Sequence, residues 1–567
     1  MLGWLLVFVC VFSWSKGKEL ITNGGFESWM SQWDCWEMHC DPTNEGHSGQ
    51  HSVKATGRHH PWESPSQYVA VQPGRRYDVS AYFKLLSDAG KSHTVQFQIQ
   101  LYYPDGKTGD ITAAQMTDVT VSAGWIHVHG SFSRPSDVAL TKARVYFQIV
   151  DPSVTYLMDD VSINDVGDAD AYMRNTSDQE IRRLRTSPIH VRVSTPGHIS
   201  KSDVVILVTQ KKKSFPFGTS VRSPVYTKGR VNKYRDFIHN NFNWAVPEWY
   251  LKWRMMEPTR GQIDFQPALD LINGLRAHGL KVRGHNLVWS KAEFIPGWVK
   301  QLSGQELRQV VLQHIQDTMN ATRGLLEHWD VNNENLPDHG KWYQDRLHDP
   351  DYNLELFRIA HRADPSVKLF LNDYSVVNAD ESTDEYLRQA QRFKAANVGL
   401  YGMGVQCHFG DERMPDPHAI KRRLDTLAKA GLPIWATELD VGAADENRRA
   451  DYYEHALRAV YAHPAVEGIL MWGFWDQQHW RGEKGALVRG DDLQLTAAGR
   501  RVLDLYNNQW MTDESHVLSQ SGDNFTVQGF HGEYEVRVLY QGKELSNLKK
   551  TFTLGKGDYT VSINVHT

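Results

Sequence analysis

The sequence predicts an α/β architecture, a parallel (β/α)8 TIM barrel preceded by an all-β, jelly-roll-like sandwich and followed by a small β segment. Two rhythms carry this prediction. Residues 19–166 alternate apolar and polar positions in short runs such as "RRYDVSAYF", "TVQFQIQLYY", "GWIHVHGSF" and "ARVYFQIV", divided by Pro, Gly and Asp turns. Strands that each bury one face pack as a sandwich. From 215 to about 510 the rhythm changes: short apolar runs recur between long helical stretches such as "FQPALDLINGLRAHG" and "SGQELRQVVLQHIQDTMNATR". Alternating strands and helices call for a parallel sheet, and eight such strands, around "FPFGTSV", "FNWAV", "KVRGHNLVW", "EHWDVNNE", "VKLFLND", "GMGVQCH", "PIWATELD" and "GILMWGFW", close a barrel.

The remaining elements follow in chain order. At 567 residues the chain exceeds what one core organises, so several domains are expected. Residues 1–17 hold an apolar run from Leu2 to Phe12 and then small residues, too short to span a bilayer and read as a secretory signal. Export makes an oxidising setting, so "CWEMHC" is expected to close a disulfide between Cys35 and Cys40, with Cys407 left as a buried thiol. Sequons at Asn175, Asn320 and Asn524 are candidate glycosylation sites. The polar stretch 167–184 reads as a linker, 185–214 as a strand pair packing on the barrel, and 511–567 as a C-terminal β segment.

Composition narrows the function. The chain is 41% hydrophobic and 23% charged with a formal charge of -5, which offers no basic footprint for nucleic acid. No later run is long enough for a membrane helix, and a monomer is expected. Trp is abundant, with 19 copies, and flat indoles serve as core filler or as platforms. In a barrel, chemistry gathers at the C-terminal rim of the strands. Polar residues stand there on seven of the eight: Glu248 and Lys252; His285 and Trp289; Asn333 and Glu334; Asn372 and Asp373; Gln406 and His408; Glu438 and Asp440; Trp472 and Asp476. There is no HExxH or paired-Cys metal motif and no glycine-rich phosphate loop. No catalytic cofactor and no active-site metal are therefore expected. Indoles with amides, His and Lys suit the faces and hydroxyls of sugars, and two carboxyls suit glycosidic cleavage.

The ordered motifs "FNWAVPEWYLKW", "RGHNLVW", "WDVNNEN", "LFLNDY", "GVQCHF", "WATELD" and "WGFWD" resemble glycoside hydrolase family 10, mostly endo-1,4-β-xylanases, and its plant and animal branch in the flanking β segments. The resemblance implies Glu334 as acid/base and Glu438 as nucleophile of a retaining reaction. It implies His408 and Asp440 as the network holding Glu438 ionised and Asn333 as the contact to the sugar 2-hydroxyl. Glu248, Lys252, His285, Trp289, Gln406, Trp472 and Trp480 would line the glycone subsites. "NGGFES" and "DDVSI" make 19–166 similar to a carbohydrate-binding module, with Trp33, Trp36, Trp62 and Trp125 as candidate platforms and Glu27 and Asp160 as candidate ligands of a structural calcium.

Two departures bear on the substrate. Trp249 stands where the family usually has Asn beside Glu248, and "WSKA" replaces the usual "WHSQ", putting Ala292 in place of a Gln. The expected protein is a secreted endo-hydrolase of β-1,4-linked plant polysaccharide, xylan first. Two readings stand beside it: a broader β-1,4-glucanase or mixed xylanase and cellulase, and a silent binding protein on the same barrel.

Overall fold

The computed structural model describes residues 18–565 except 135, 137, 229–231, 412–413 and 519–523, so the expected leader at 1–17 lies outside the described residues. The chain divides into two compact units between Asn175 and Thr176.

The first unit is the sandwich. One sheet has the order His39–Thr43, Ser52–Thr56, Tyr156–Asp168, Arg75–Leu85, Trp125–Ser133, with Lys18–Glu19 added on Tyr156–Asp168. The other runs Asp34–Cys35, Pro65–Val69, Lys142–Ile149, His93–Tyr102, Thr108–Val119. Alternation puts Val79, Ala81, Phe83, Val95, Phe97, Ile99, Val145 and Phe147 between the sheets, fully buried. Cys35 and Cys40 are joined as a disulfide beside the short edge strand.

The second unit carries the barrel. Its strands are β1 (Phe217–Val221), β2 (Trp244–Pro247), β3 (Lys281–Trp289), β4 (His328–Asn333), β5 (Lys368–Asp373), β6 (Leu400–Val405), β7 (Ile434–Gly442) and β8 (Val466–Met471). Each pairs in parallel with the next, and β8 pairs with β1, which closes the ring. The short segment His408–Gly410 continues the chain after β6 and pairs with the outer half of β7. Helices start where capping residues allow: the Asp416 carboxylate accepts from His418 and Ala419 N–H, Asp445 from Arg448 N–H, and the Thr496 hydroxyl from Gly499 N–H. Inside the ring, Trp244, Val246, Phe370, Trp435, Leu470 and Trp472 form an apolar layer. Against it lies a buried polar one, in which Arg283 and His285 both donate to Asp330.

Residues 167–184, expected as a linker, do hold the boundary between the two units, but not as coil: Ala169–Arg185 is a helix. Its polarity reflects helical spacing, since Asp168 accepts from Ala171 N–H at its start, Glu180 bridges Arg183 one turn on, and Ile181 is buried in the barrel's outer core. Arg185 ends it, donating to the carbonyls of Tyr461, His463 and Val466. Nor are the strands of 185–214 paired with each other. Thr186–Ser194 lies between Asn524–Phe530 and Tyr559–Asn564, parallel to the latter, while Val204–Lys213 lies between Asp513–Val517 and Gly532–Tyr540. The two sheets stack face to face over Ile189, Val191, Ile206, Val208, Val536, Val538, Val561 and Ile563. Both strands alternate, and their apolar faces are satisfied by stacking, not by sharing an edge.

Candidate active site

The barrel rim opens into a cleft of about 820 Å³ lined by residues from β2 to β8 and their loops, among them Glu248, Trp289, Glu334, Gln406, His408, Glu438, Trp472 and Trp480. The carboxylates stand just past β4 and within β7, three strands apart in the ring, and in both cases the ladder is interrupted beside them. The β4–β5 register shifts between Asp330 and Asn333, and the β7–β8 register between Ala436 and Leu439. In β4 the shift turns Asn332 outward, where its amide meets Ser290 and Asn353 of the helical layer, and Asn333 inward to accept from Asn372 at 2.9 Å. Plain alternation would have faced Asn333 away from the cleft. Glu334 follows at φ +53°, in the left-handed region that non-glycine residues rarely occupy.

Glu438 is enclosed by strand side chains. Asn372 Nδ2 donates to its Oε1 at 2.8 Å, His408 Nε2 lies 3.4 Å from Oε2, and His285 Nδ1 lies 3.9 Å from Oε1. Burial pushes this carboxyl up, but the His408 hydrogen bond, the charges of His285 and His408 and the Asn372 amide outweigh it, and the group ends below the usual carboxylate range. His408 is held from its other side by Asp440, 2.9 Å from Nδ1. Burial works against the imidazolium, yet Asp440 and Glu438 raise it to about 10. Asp440 in turn accepts from Trp480 Nε1 and Arg481 Nε.

Asn372 is fully used, since Thr437 Oγ1 donates to its Oδ1 at 2.6 Å while its Nδ2 serves Asn333 and Glu438. Its room is made by Gly404 of β6, where a Cβ would meet Asn372 Oδ1 at 2.4 Å.

Glu334 has a different shell. Trp289 Nε1 donates to its Oε2 at 3.0 Å, Gln406 Nε2 to its Oε1 at 3.1 Å, and Lys291 Nζ lies 2.9 Å from Oε2.

On the β2 side, Glu248 is paired with Arg222 at 3.0 Å. Burial raises its carboxyl against the pull of Arg222 and Lys252, and burial lowers the Lys252 ammonium against Glu248, Glu438 and Glu334. Lys252 Nζ sits 4.9 Å over the Trp289 ring, and Arg222 sits 4.9 Å over Trp249. Trp472 meets His285 edge-on at 5.1 Å, while Trp480 is 55% exposed at the mouth. Of the twelve residues expected at the site, ten line this cleft, and Asn333 and Asp440 are buried beside it against Asn372 and His408. Sequence reasoning missed Lys291, Arg222 and Arg481, which come from loops or strand ends without a motif, and left Asn372 without a role. Cys407 is buried beside the site at φ +64°, its thiol pushed up by burial.

The expected platforms of the first unit separate. Trp33 is buried against Phe26, with Nε1 donating to the Asn23 carbonyl, and is core. Trp36 lies on the outer face of the five-stranded sheet, with Arg144 3.9 Å over its ring, beside Tyr68, Tyr102 and the row Gln96, Gln98, Gln100. Trp62 is exposed and stacked on His60, and Trp125 belongs to the other sheet, near His47. Glu27 accepts from Gln50 and His51 N–H, and Asp160 meets Ser48 and His47, so a cation between them would compete with four hydrogen bonds. Among the described residues no group of three or more His, Cys, Asp or Glu is placed for a metal ion. The sequon residues Asn175, Asn320 and Asn524 are exposed.

Residues 207–505 match the family described as glycosyl hydrolase family 10, and residues 18–153 match a carbohydrate binding domain. The chain is 30% identical over 567 residues to endo-1,4-beta-xylanase 2 of Arabidopsis thaliana, covering 96% of this chain and 50% of that protein. It is 34% identical over 389 residues to the anti-sigma-I factor RsgI6 of Acetivibrio thermocellus, covering 68% and 48%. With endo-1,4-beta-xylanase 3 of Arabidopsis thaliana it shares 31% over 530 residues, covering 91% and 67%. The chain thus spans about half the length of the first two of these relatives. A solved xylanase 10B from Thermotoga petrophila in complex with xylobiose is 25% identical at a TM-score of 0.49, covering 52% of this chain and 94% of that one.

Proposed function

The chain belongs to glycosyl hydrolase family 10 and carries an N-terminal carbohydrate-binding domain, and from that premise we propose that it is an exported, endo-acting hydrolase of β-1,4-linked plant polysaccharide, xylan first, working with retention. The observation that carries this is the unequal setting of two carboxyls on one cleft. Glu438 is held ionised by His408 and Asn372 with a free line to the cleft, as a nucleophile must be. Glu334, just past β4, gives its proton to the leaving oxygen while Glu438 bonds to the anomeric carbon. Once that bond has consumed the Glu438 charge, Glu334 takes a proton from water as the water oxygen bonds to the anomeric carbon, the bond to Glu438 breaks, and the sugar leaves with Glu438 ionised again. Asn333, turned inward by the bulge, stands where a 2-hydroxyl contact can strengthen as the ring flattens. The activity for which two relatives are named, endo-1,4-beta-xylanase, supports xylan as the substrate. The Trp36, Tyr68 and Tyr102 face of the first unit, aromatic and amide-lined, supports a glycan-holding role for that module.

One observation favours a broader substrate range. Trp249, beneath Arg222 on the cleft wall, offers no amide beside Glu248, so a hydroxyl contact that would discriminate among sugars is lost there. Initial rates on soluble xylan and carboxymethyl-cellulose, with the anomer released followed by NMR, test both points. Xylan turned over well ahead of the cellulose derivative with retained configuration is expected. Equal rates would replace xylanase by mixed glucanase, and inversion would sink the double displacement.

A further inference from the structure

Among the described residues, the side chains that contact the Glu334 carboxyl all donate. Its Oε2 receives Trp289 Nε1 at 3.0 Å and Lys291 Nζ at 2.9 Å, and its Oε1 receives the Gln406 amide at 3.1 Å. A protonated carboxyl must itself donate, and neither an indole N–H nor an ammonium can accept. The arrangement therefore fits the ionised carboxylate. The proton destined for the leaving oxygen has room on Oε1, which carries a single donor, but it must be gained against the charge of the adjacent Lys291 ammonium. Lys291 has a second resting place within reach, the face of Tyr374, 4.4 Å from Nζ. The other charged groups around this carboxyl are Lys252 across the cleft, Asp373 bonded to His339, and Glu438 with His285 and His408. Of these cations and Lys291, it is Lys291 that pairs directly with Glu334.

We propose that Lys291 favours the ionised form of Glu334, assisting it as base in the second half of the reaction and setting the alkaline limit at which it still serves as acid in the first. Lys291 is on this account a positioning residue, and the proposal rests on the hydrolase reading above. Its ammonium suits that role, because burial pulls it down but the bond and charge of Glu334 and the neighbouring Tyr374 outweigh that and raise it.

The test is the pH profile of kcat/KM for the full chain and its Lys291→Met and Lys291→Arg variants, on an aryl xylobioside whose leaving group needs a proton. Lys291→Met should move the alkaline limb up by about one pH unit, the scale of losing one adjacent opposite charge. Lys291→Arg, which keeps the charge, should restore the limb. On a dinitrophenyl xylobioside, whose departure needs no proton, the three alkaline limbs should coincide. An unmoved limb in Lys291→Met, or the two variants moving together, overturns the role of Lys291. Absence of turnover by the unaltered protein on either substrate would instead overturn the hydrolase reading.

Discussion

Glu438 and Glu334 face one cleft and draw on neighbouring strands, yet their shells differ: one is met within the strands, the other at a strand end and from a loop. Glu438 is fixed by side chains rooted in β3, β5 and the segment after β6, elements locked into the closed ring. Glu334 is reached by the far end of β3, by Gln406 just beyond β6 and by Lys291 from a loop. On the proposed reading, the carboxylate that stays ionised is held by side chains of paired barrel segments, and the one that gains and loses a proton by a strand end and a loop.

The largest test removes one side outright. Glu438→Ala should lower kcat on the order of 10⁵-fold while binding to insoluble polysaccharide persists; a variant with near wild-type turnover would move the nucleophile elsewhere. Next comes the strand scaffold: Asn372→Ala takes away the donor of Glu438 and Asn333 together, and about 10²- to 10³-fold in kcat should go with little change in KM. Gly404→Ala reaches the same amide indirectly, by crowding Asn372 Oδ1, and about a tenfold loss with a lowered melting temperature is expected. If Gly404→Ala were silent, Asn372 would be less firmly placed than its contacts to Thr437, Asn333 and Glu438 imply.

A pH experiment sharpens the Glu438 side. His408 is raised from 6.5 to about 10 in the fold, so its cation contributes stability fully below about 6.5, and that contribution is lost as pH rises through about 10. Melting temperatures from pH 6 to 10 should fall in the wild type, and His408→Asn should flatten that part of the slope. The smallest effect belongs to the other carboxylate: Trp289→Phe removes one of three donors on Glu334 and should cost only a few-fold in kcat/KM.

The same division explains what was legible in the sequence. Each barrel strand announced itself as an apolar run, and seven of the eight ended in polar residues, so His408 and Asp440 could be named for Glu438, while the parts played there by Asn372 and His285 could not. Alternation alone would turn Asn333 away from the cleft, so its expected contact to the sugar already called for a bulge or a ladder end by Asn333, and the β4–β5 register does slip between Asp330 and Asn333. Lys291 sits in a loop without periodicity, one place before Ala292, where the chain departs from the family pattern. The helix Ala169–Arg185 was hidden because it is mostly polar and charged, with few apolar residues such as Ile181 and Met173 buried. The stacked sheets around Thr186–Ser194 were hidden because their partners arrive from beyond the barrel, and pairing at such separation leaves no local trace.

That last arrangement has a mechanical meaning. Thr186–Ser194 and Tyr559–Asn564 run side by side in the same direction, in register from Ile189 opposite Tyr559 to Ser194 opposite Asn564. A pull applied at the N-terminal end of the first strand and the C-terminal end of the second loads this ladder lengthwise, so its hydrogen bonds share the force and must fail together. Under such a pull the strand pair is oriented to shear, not to unzip.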